Sequence, residues 1–575
     1  MGLIWLKHPV LWHSSRVPSG YDYDAMTVAQ KQLIITRWHN WYTADWDYGQ
    51  TTLAFFCTAI ALGMIISKVA WLRSRSSPAP SPGPRALDKV TATFRYATAR
   101  QFHLPAAGWY APPLAALIGV SGMAVFVLAL MLGARPFYWP NDAMGHSPPI
   151  ATRSGWISIA IMPFMIAFAT KVNFVGFLTG TSHEKLQVFH RWSAFLMYIT
   201  SLVHTFPFII NDIRMGEMMS SYATSPWYWT GVAALVPQTY LLALSWGIFR
   251  NAYYETFKKL HFIASGIFMA ALFIHVNFRL TSWDYFWATL AIYALAWLAR
   301  VLRTLYTTGL GLPASVTSAG DGLIKISIRA PAGRFKWAPG QHIFVRVLGL
   351  GVHALSSHPF TISSVRAAGA AENTVELVLR VHGGITLALA SRVEGKAGWA
   401  TRVVVDGPYG GLHVPLQAYE RVYFLAGGSG ATFTLPIFTD LAALFNAGAT
   451  ACQHIEYVVA VRDNESYSWM EPALTAAAAL VPDADKLAVR VHFTRAESQK
   501  GDADDLPVTV ETGRPHLAEI VQAAHASARK VAIIACGPDS FLYDVRNAVA
   551  ECQLVIADGF GPCKDMFLHT ETYSW

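Results

Sequence analysis

The chain has 575 residues, 53% hydrophobic and 14% charged, with a mean hydropathy of +0.32. A soluble globular chain carries about 25% charge, so part of this one must have a solvent other than water. The length exceeds a single core, the apolar content excludes disorder, and five cysteines exclude a disulfide scaffold.

The opening, residues 1–47, is rich in tryptophan (Trp5, Trp12, Trp38, Trp41, Trp46) and reads as an extracellular segment lying along the interface as an aromatic belt. Met1 to Gly20 has no proper apolar core and is broken by Lys7, His8 and Pro9, so no cleaved signal peptide is expected. Residues 48–306 then carry stretches of spanning length: Tyr48 to Ser67, Ala111 to Ala134, Ser154 to Thr170, Trp192 to Ile210, Trp227 to Phe249, Leu260 to Phe278 and Tyr285 to Ala299. A helix needs about 20 apolar residues to cross hydrocarbon. Seven spans are expected, the last one short and relying on Arg300 and Arg303 to reach the headgroups. Ser74 to Arg85 is a Pro/Ser linker without a fold.

The 44 Lys+Arg exceed the 36 Asp+Glu, and position decides what that surplus means. Lys68, Arg73, Arg75, Arg85, Lys89, Arg95 and Arg100 lie between the first two spans. Lys185, Arg250, Lys258 and Lys259 lie in later loops on the same side. The opposite loops hold mainly Arg135, Arg153, Arg214 and Arg279. Positive loops stay in the cytosol, so the N-terminus is expected outside, everything after Tyr306 inside, and no nucleic-acid partner is implied. Cys57 lies in a span and Cys452, Cys536, Cys552 and Cys563 on the cytosolic side, so no structural disulfide is expected.

His190 and His204 lie on the fourth span, and His261 and His275 on the sixth. Both spacings are 14, which on a helix climbs about 21 Å and returns to within roughly 40° of the same face. Spans two apart run in the same direction, so His190 levels with His261 near the cytosol and His204 with His275 near the outside. A single intramembrane histidine reads equally well as polar glue between helices. Two stacked pairs read as bis-histidine ligands of two haems, since zinc asks for three or four close ligands. Arg191, next to His190, reads either as a haem-propionate partner or as a positive-inside anchor.

After Tyr306 the pattern alternates with period two: Leu323 to Arg329, His342 to Val347 and Val375 to Val381, with breaks at Pro339-Gly340 and Asp406 to Gly411. A small antiparallel barrel is expected over 311–418. From Val422 the order becomes strand, Gly-rich turn, helix, with buried strands at Ile455 to Val461, Leu487 to Phe493 and Val531 to Ala535. That is an open α/β nucleotide domain over 420–575. Gly427-Gly428-Ser429-Gly430 follows a strand and opens a helix; it is not GxGxxG, and a phosphate loop and a plain tight turn both fit it.

HPFTIS (358–363), GPYG (407–410), AGGSGAT (426–432) and CGP (536–538), preceded by the four histidines, resemble in order the ferric reductase and NADPH oxidase superfamily of flavocytochromes b. The ending ETYSW (571–575) resembles the aromatic tail of fungal ferric reductases. The likeness covers roughly residues 150 to 575, with a haem core at 150–306. It implies that His358, Pro359, Phe360 and Thr361 hold the flavin ring and ribityl chain, and that Arg380 with Gly383, Gly384, Ile385 and Thr386 takes the FAD pyrophosphate. It assigns Gly427, Gly428, Gly430, Arg462 and Arg514 to the NADPH phosphates, places Cys536, Gly537 and Pro538 beside the nicotinamide, and stacks Trp575 on the flavin. The family commonly continues His-Arg-Trp with Gly-Arg, whereas Ser193-Ala194 follow here.

The implied protein is a plasma-membrane NADPH-dependent ferric-chelate reductase with FAD and two haems b. Its acceptors are extracellular Fe(III) chelates or siderophores, or Cu(II), and an iron permease/ferroxidase system is the implied partner. A superoxide-generating oxidase shares every cofactor, although such oxidases more often show His spacings of 14 and 13. A channel or transporter with a regulatory nucleotide domain is the reading from another class. The loop Asn211 to Pro226, with Met215, Met218 and Met219, reads as a metal-complex contact or as a membrane-facing Met cluster.

Overall fold

The computed structural model describes residues 22–36, 45–75, 86–276, 281–320, 322–367, 369–495 and 508–572. Most of the Trp-rich opening, most of the Pro/Ser linker and Trp575 lie outside those residues. The chain forms two compact units, one of residues up to Ile66 with Ile118–Leu298, the other of Ser67–Leu117 with Ala299–Trp575.

In the first unit, uncharged runs become helices because a backbone in hydrocarbon must satisfy its own polar groups. The helices are α1 (Gln50–Arg75), then, after α2 (Ala86–Ala99) of the other unit, α3 (Leu114–Leu132), α4 (Pro149–Ala169), α5 (His183–Met215), α6 (Pro226–Leu244), α7 (Tyr254–Val276) and α8 (Ser282–Thr308). Among the described residues six helices are long and apolar enough to cross a membrane: α1, α3, α4, α5, α7 and α8. The expected span Trp227 to Phe249 is helix α6, which stops at Leu244 before a separate short helix, Gly247–Ala252. Its 19 residues give about 28 Å, and Thr230, Gln238 and Thr239 dilute its apolar character. Helix α4 is the centre of the bundle, with 83% of its apolar window buried.

In the second unit, one of the two six-stranded sheets is antiparallel. Its strands are β1 (Leu312–Gly320), β2 (Leu323–Pro331), β3 (Gln341–Val347), β4 (His358–Thr361), β5 (Glu372–Arg380) and β6 (Trp399–Gly410), in the order β4-β3-β6-β1-β2-β5. No ladder joins the end strands β4 and β5 among the described residues. They meet instead at a seam, where the Ser363 N–H donates to Glu376 O at 2.8 Å. The expected break at Asp406 to Gly411 is absent: β6 runs through it, and the register against β3 shifts between His342 and Phe344. Gly407, at φ +146°, absorbs the irregularity as a bulge does, and a Cβ there would lie 2.9 Å from Ile343.

The second sheet is wholly parallel. Its strands are β7 (Arg421–Gly427), β8 (His454–Val461), β9 (Leu487–Phe493), β10 (Val508–Thr512), β11 (Lys530–Cys536) and β12 (Asp565–Glu571), in the order β10-β9-β8-β7-β11-β12. The near-continuous apolar runs of β7, β8 and β11 are buried between helices, which include Ala431–Asn446 and Asp539–Asp558.

Two basic stretches read as solvated anchors have partners. Arg300 Nε meets Asp406 Oδ2 at 2.5 Å and Arg303 Nη2 meets Asp406 Oδ1 at 3.1 Å, so both guanidinium groups grip the antiparallel sheet. Helix α2 is docked on the parallel sheet. Ala92 and Ala99 join the core of Val545, Val549, Ile556 and Met566, and Arg95 pairs with Asp565. His103 and Tyr110, stacked at 4.1 Å, both meet Tyr543 edge-on.

Candidate functional site

The helical period brings the four membrane histidines together as two facing pairs. The ring centroids of His190 and His261 are 6.5 Å apart, and those of His204 and His275 are 6.1 Å apart. The rings of each pair are steeply inclined, at 68° and 84°. Metal–imidazole bonds of about 2.0–2.1 Å, with roughly 1.1 Å from nitrogen to ring centre, put the centroids of two imidazoles opposed across one metal about 6.3 Å apart, against roughly 5.1 Å at a tetrahedral angle.

The far side of each ring is just as telling. His190 Nδ1 bonds Met165 O at 2.9 Å, His204 Nδ1 bonds Ala151 O at 2.8 Å, and His275 Nδ1 meets Thr230 Oγ1 at 3.2 Å. A carbonyl only accepts, so Nδ1 carries the proton and Nε2 keeps its lone pair for a metal. Helix α4 makes room with Gly155, where a Cβ would sit 2.6 Å from His204 Nδ1. Helix α6 does the same with Gly231, 3.1 Å from His275 Cε1. Arg191 is exposed. Ser193, at the position where the family commonly has glycine, is buried and bonds Phe189 O and His190 O within its own helix.

In the second unit the flavin candidates gather at the seam. His358, Pro359, Phe360 and Thr361 form the edge strand β4, paired to β3 with His342 opposite Thr361 and Val345 opposite His358. All four are half-buried, and His358 Nε2 lies 3.0 Å from Ser356 Oγ. Arg380 ends β5, two residues before the turn that opens helix Gly384–Val393. No side chain caps that helix, Gly384 is left-handed at φ +54°, and Thr386 Oγ1 donates to Gly383 O at 2.9 Å. The uncapped amides and glycine backbone fit a pyrophosphate. A cleft of about 430 Å³ adjoins the seam, lined by Lys325, Ser363, Glu376, Leu435 and Trp469 among others; among the described residues none of the flavin candidates lines it.

The nucleotide candidates all sit at the carboxyl edge of the parallel sheet, where ligands of such sheets bind. Gly427, Gly428 and Gly430 end β7, Arg462 follows β8, Arg514 follows β10, and Cys536, Gly537 and Pro538 end β11. The three glycines have different duties. A Cβ on Gly430 would come 2.2 Å from Cys536 O, and one on Gly427 would come 2.9 Å from Pro538. These two let the neighbouring loops touch. Gly428, at φ +57°, faces open space. Arg462 and Arg514 are exposed. Burial, together with the Glu571 charge, pushes the Cys536 thiol up, so it stays neutral.

Sequence reasoning missed several members. Glu571 lies opposite Cys536 in the β11–β12 register and bonds His569 at 2.9 Å. Asp406 takes Arg300, Arg303 and the Tyr409 hydroxyl at 2.7 Å. Thr230, Gly155 and Gly231 were also missed. An acid before Gly-Pro and small residues in apolar spans are the signals present, and they are common.

Three family models match in succession: the ferric reductase like transmembrane component at residues 154–272, an FAD-binding domain at 311–413, and the ferric reductase NAD binding domain at 419–550. The molecule is thus a multi-pass membrane protein whose membrane domain is followed by FAD- and NAD-binding domains. Over these stretches the chain is similar to fungal ferric reductases. It is 34% identical to a probable cell surface ferric reductase of Aspergillus oryzae, over 63% of this chain and 50% of that one. It is 27% identical to ferric/cupric reductase transmembrane component 7 of Saccharomyces cerevisiae, over 81% and 77%. The chain therefore spans about half the length of the Aspergillus relative. A solved flavohemoglobin from Malassezia yamatoensis is 15% identical over 73% of this chain and 98% of that one, at TM-score 0.36, a likeness too loose to build on.

Proposed function

We propose that this protein is an NADPH-dependent ferric-chelate reductase of the plasma membrane, delivering electrons from cytosolic NADPH to Fe(III), or Cu(II), complexes outside and so supporting iron uptake with a permease/ferroxidase system. The observation that carries the reading is the two facing imidazole pairs, each at the separation one metal requires, with Nδ1 turned away to an acceptor in three of the four. We assign His190/His261 and His204/His275 as ligands of two haems b. Bound FAD would turn a hydride's electron pair into single electrons, and bound haem would carry these singly across the bilayer.

The chain's own residues supply placement. Thr361, the edge of β4 and the Gly383-Gly384 turn hold FAD, with Arg380 toward the pyrophosphate. Gly428, with Arg462 and Arg514, receives the NADPH phosphates, and neutral Cys536 packs against the nicotinamide without competing for the hydride. The orientation reading is supported by the grouping of Ser67–Leu117, the most basic loop, with Ala299–Trp575 in one compact unit.

Cells expressing the chain are expected to reduce an impermeant Fe(III) chelate at a rate that His204→Ala abolishes. Equal rates for the two would end the proposal.

A further inference from the structure

The four imidazoles differ in what holds them from behind. His190 and His204 face backbone carbonyls, His275 faces the hydroxyl of Thr230, and His261 Nδ1 is buried without a partner among the described residues. The His204/His275 pair thus carries two such bonds and the His190/His261 pair one.

Thr230 is buried, and its own proton is committed, since Oγ1 donates to Pro226 O at 2.8 Å, one turn back on α6. Toward His275 it can only accept. Acceptance fixes the proton on Nδ1 and leaves Nε2 as the lone-pair nitrogen, while Gly231 beside it clears space for the ring. A hydrogen bond accepted from the far nitrogen makes an imidazole a more basic ligand. A more basic ligand favours the more oxidised metal, and therefore a lower reduction potential.

We infer that Thr230 is a positioning residue for His275: it fixes the ring's tautomer and direction, and it lowers the potential of the metal held by His204 and His275. The inference rests on the haem reading above. Its physical content is a bias built into one of two otherwise similar pairs by a hydroxyl on a third helix.

The test uses purified full-length protein with Thr230→Val, close in shape but without an acceptor, and Thr230→Ser, which keeps the hydroxyl. Haem per chain is counted first, and both midpoints are then titrated. The two centres are assigned by which band His204→Ala and His190→Ala each remove. Thr230→Val is expected to move the midpoint of the His204/His275 centre to a more positive potential, leave the other in place, and change one low-spin EPR signal, with Thr230→Ser restoring all three. Selective loss of the His204/His275 haem in Thr230→Val alone equally supports the role. Two retained haems with neither midpoint moved, a shift confined to the other centre, or failure of serine to restore would overturn it. An unsubstituted protein without haem would instead overturn the haem reading.

Discussion

Gly155→Ala probes the geometry most sharply. A Cβ there would sit 2.6 Å from His204 Nδ1 and 2.9 Å from Cε1, where ordinary heavy-atom contacts are about 3.5 Å. The ring must retreat by roughly 0.9 Å, enough to spoil its 2.8 Å bond to Ala151 O. In a helix with free space, alanine for glycine is favourable by about 0.5–1 kcal/mol. Overpacking costs about 1–3 kcal/mol, and the lost hydrogen bond adds about 1 kcal/mol. The net penalty of about 1–3 kcal/mol is small for a large membrane domain but falls wholly on one ligand. The assay is haem per chain in purified protein. Gly155→Ala is expected to drop it from two to one, while Gly266→Ala on α7, with nothing within 4 Å of its Cβ, keeps both haems. Two haems with unchanged bands in Gly155→Ala would refute the reasoning.

Further substitutions address the second unit. Asp406→Asn leaves Arg300 and Arg303 without their carboxylate. Buried pairs lose about 3–5 kcal/mol when broken, and because these arginines are partly exposed about 2 kcal/mol is expected, read as a lower melting temperature and weaker FAD retention. Gly430→Ala would set a Cβ 2.2 Å from Cys536 O, so the KM for NADPH should rise at least several-fold with FAD and haem content unchanged. Burial alone would raise the Glu456 carboxyl, but His454 and Arg490 hold it below the usual range. A depressed carboxylate stabilises above its unfolded value near about 4.3 and loses that contribution as pH falls through the lower folded value. Glu456→Gln should therefore cost about 1–2 kcal/mol at pH 7 and flatten the acid limb of a urea-midpoint profile.

What the sequence made legible follows from how far each constraint reaches along the chain. Hydrocarbon length forces uncharged runs, so the spans could be read, and a 14-residue step on a helix put His190 with His204 on one face. Strand-turn-helix order exposed the Gly427–Gly430 turn. Constraints between distant residues left no such mark. Arg300 and Arg303 looked like headgroup anchors because Asp406 lies about a hundred positions on, and Arg95 looked like a loop charge because Asp565 lies in the last strand. The Gly407-Pro408 pair reads as a break, yet neighbouring strands and the Asp406 grip carry β6 straight through it. Thr230 is one of several polar side chains on α6, and only the ring it faces gives it meaning.

The central claim is that two metal centres are clamped between α5 and α7. The direct measurement is the haem-to-chain ratio of purified protein with reduced-minus-oxidised spectra for each pair of substitutions. The account predicts two b-type haems in the unsubstituted chain, one after His190→Ala with His261→Ala, one after His204→Ala with His275→Ala, and none when all four are replaced. An unsubstituted chain without haem absorbance, or a fourfold variant that keeps its bands, would contradict it.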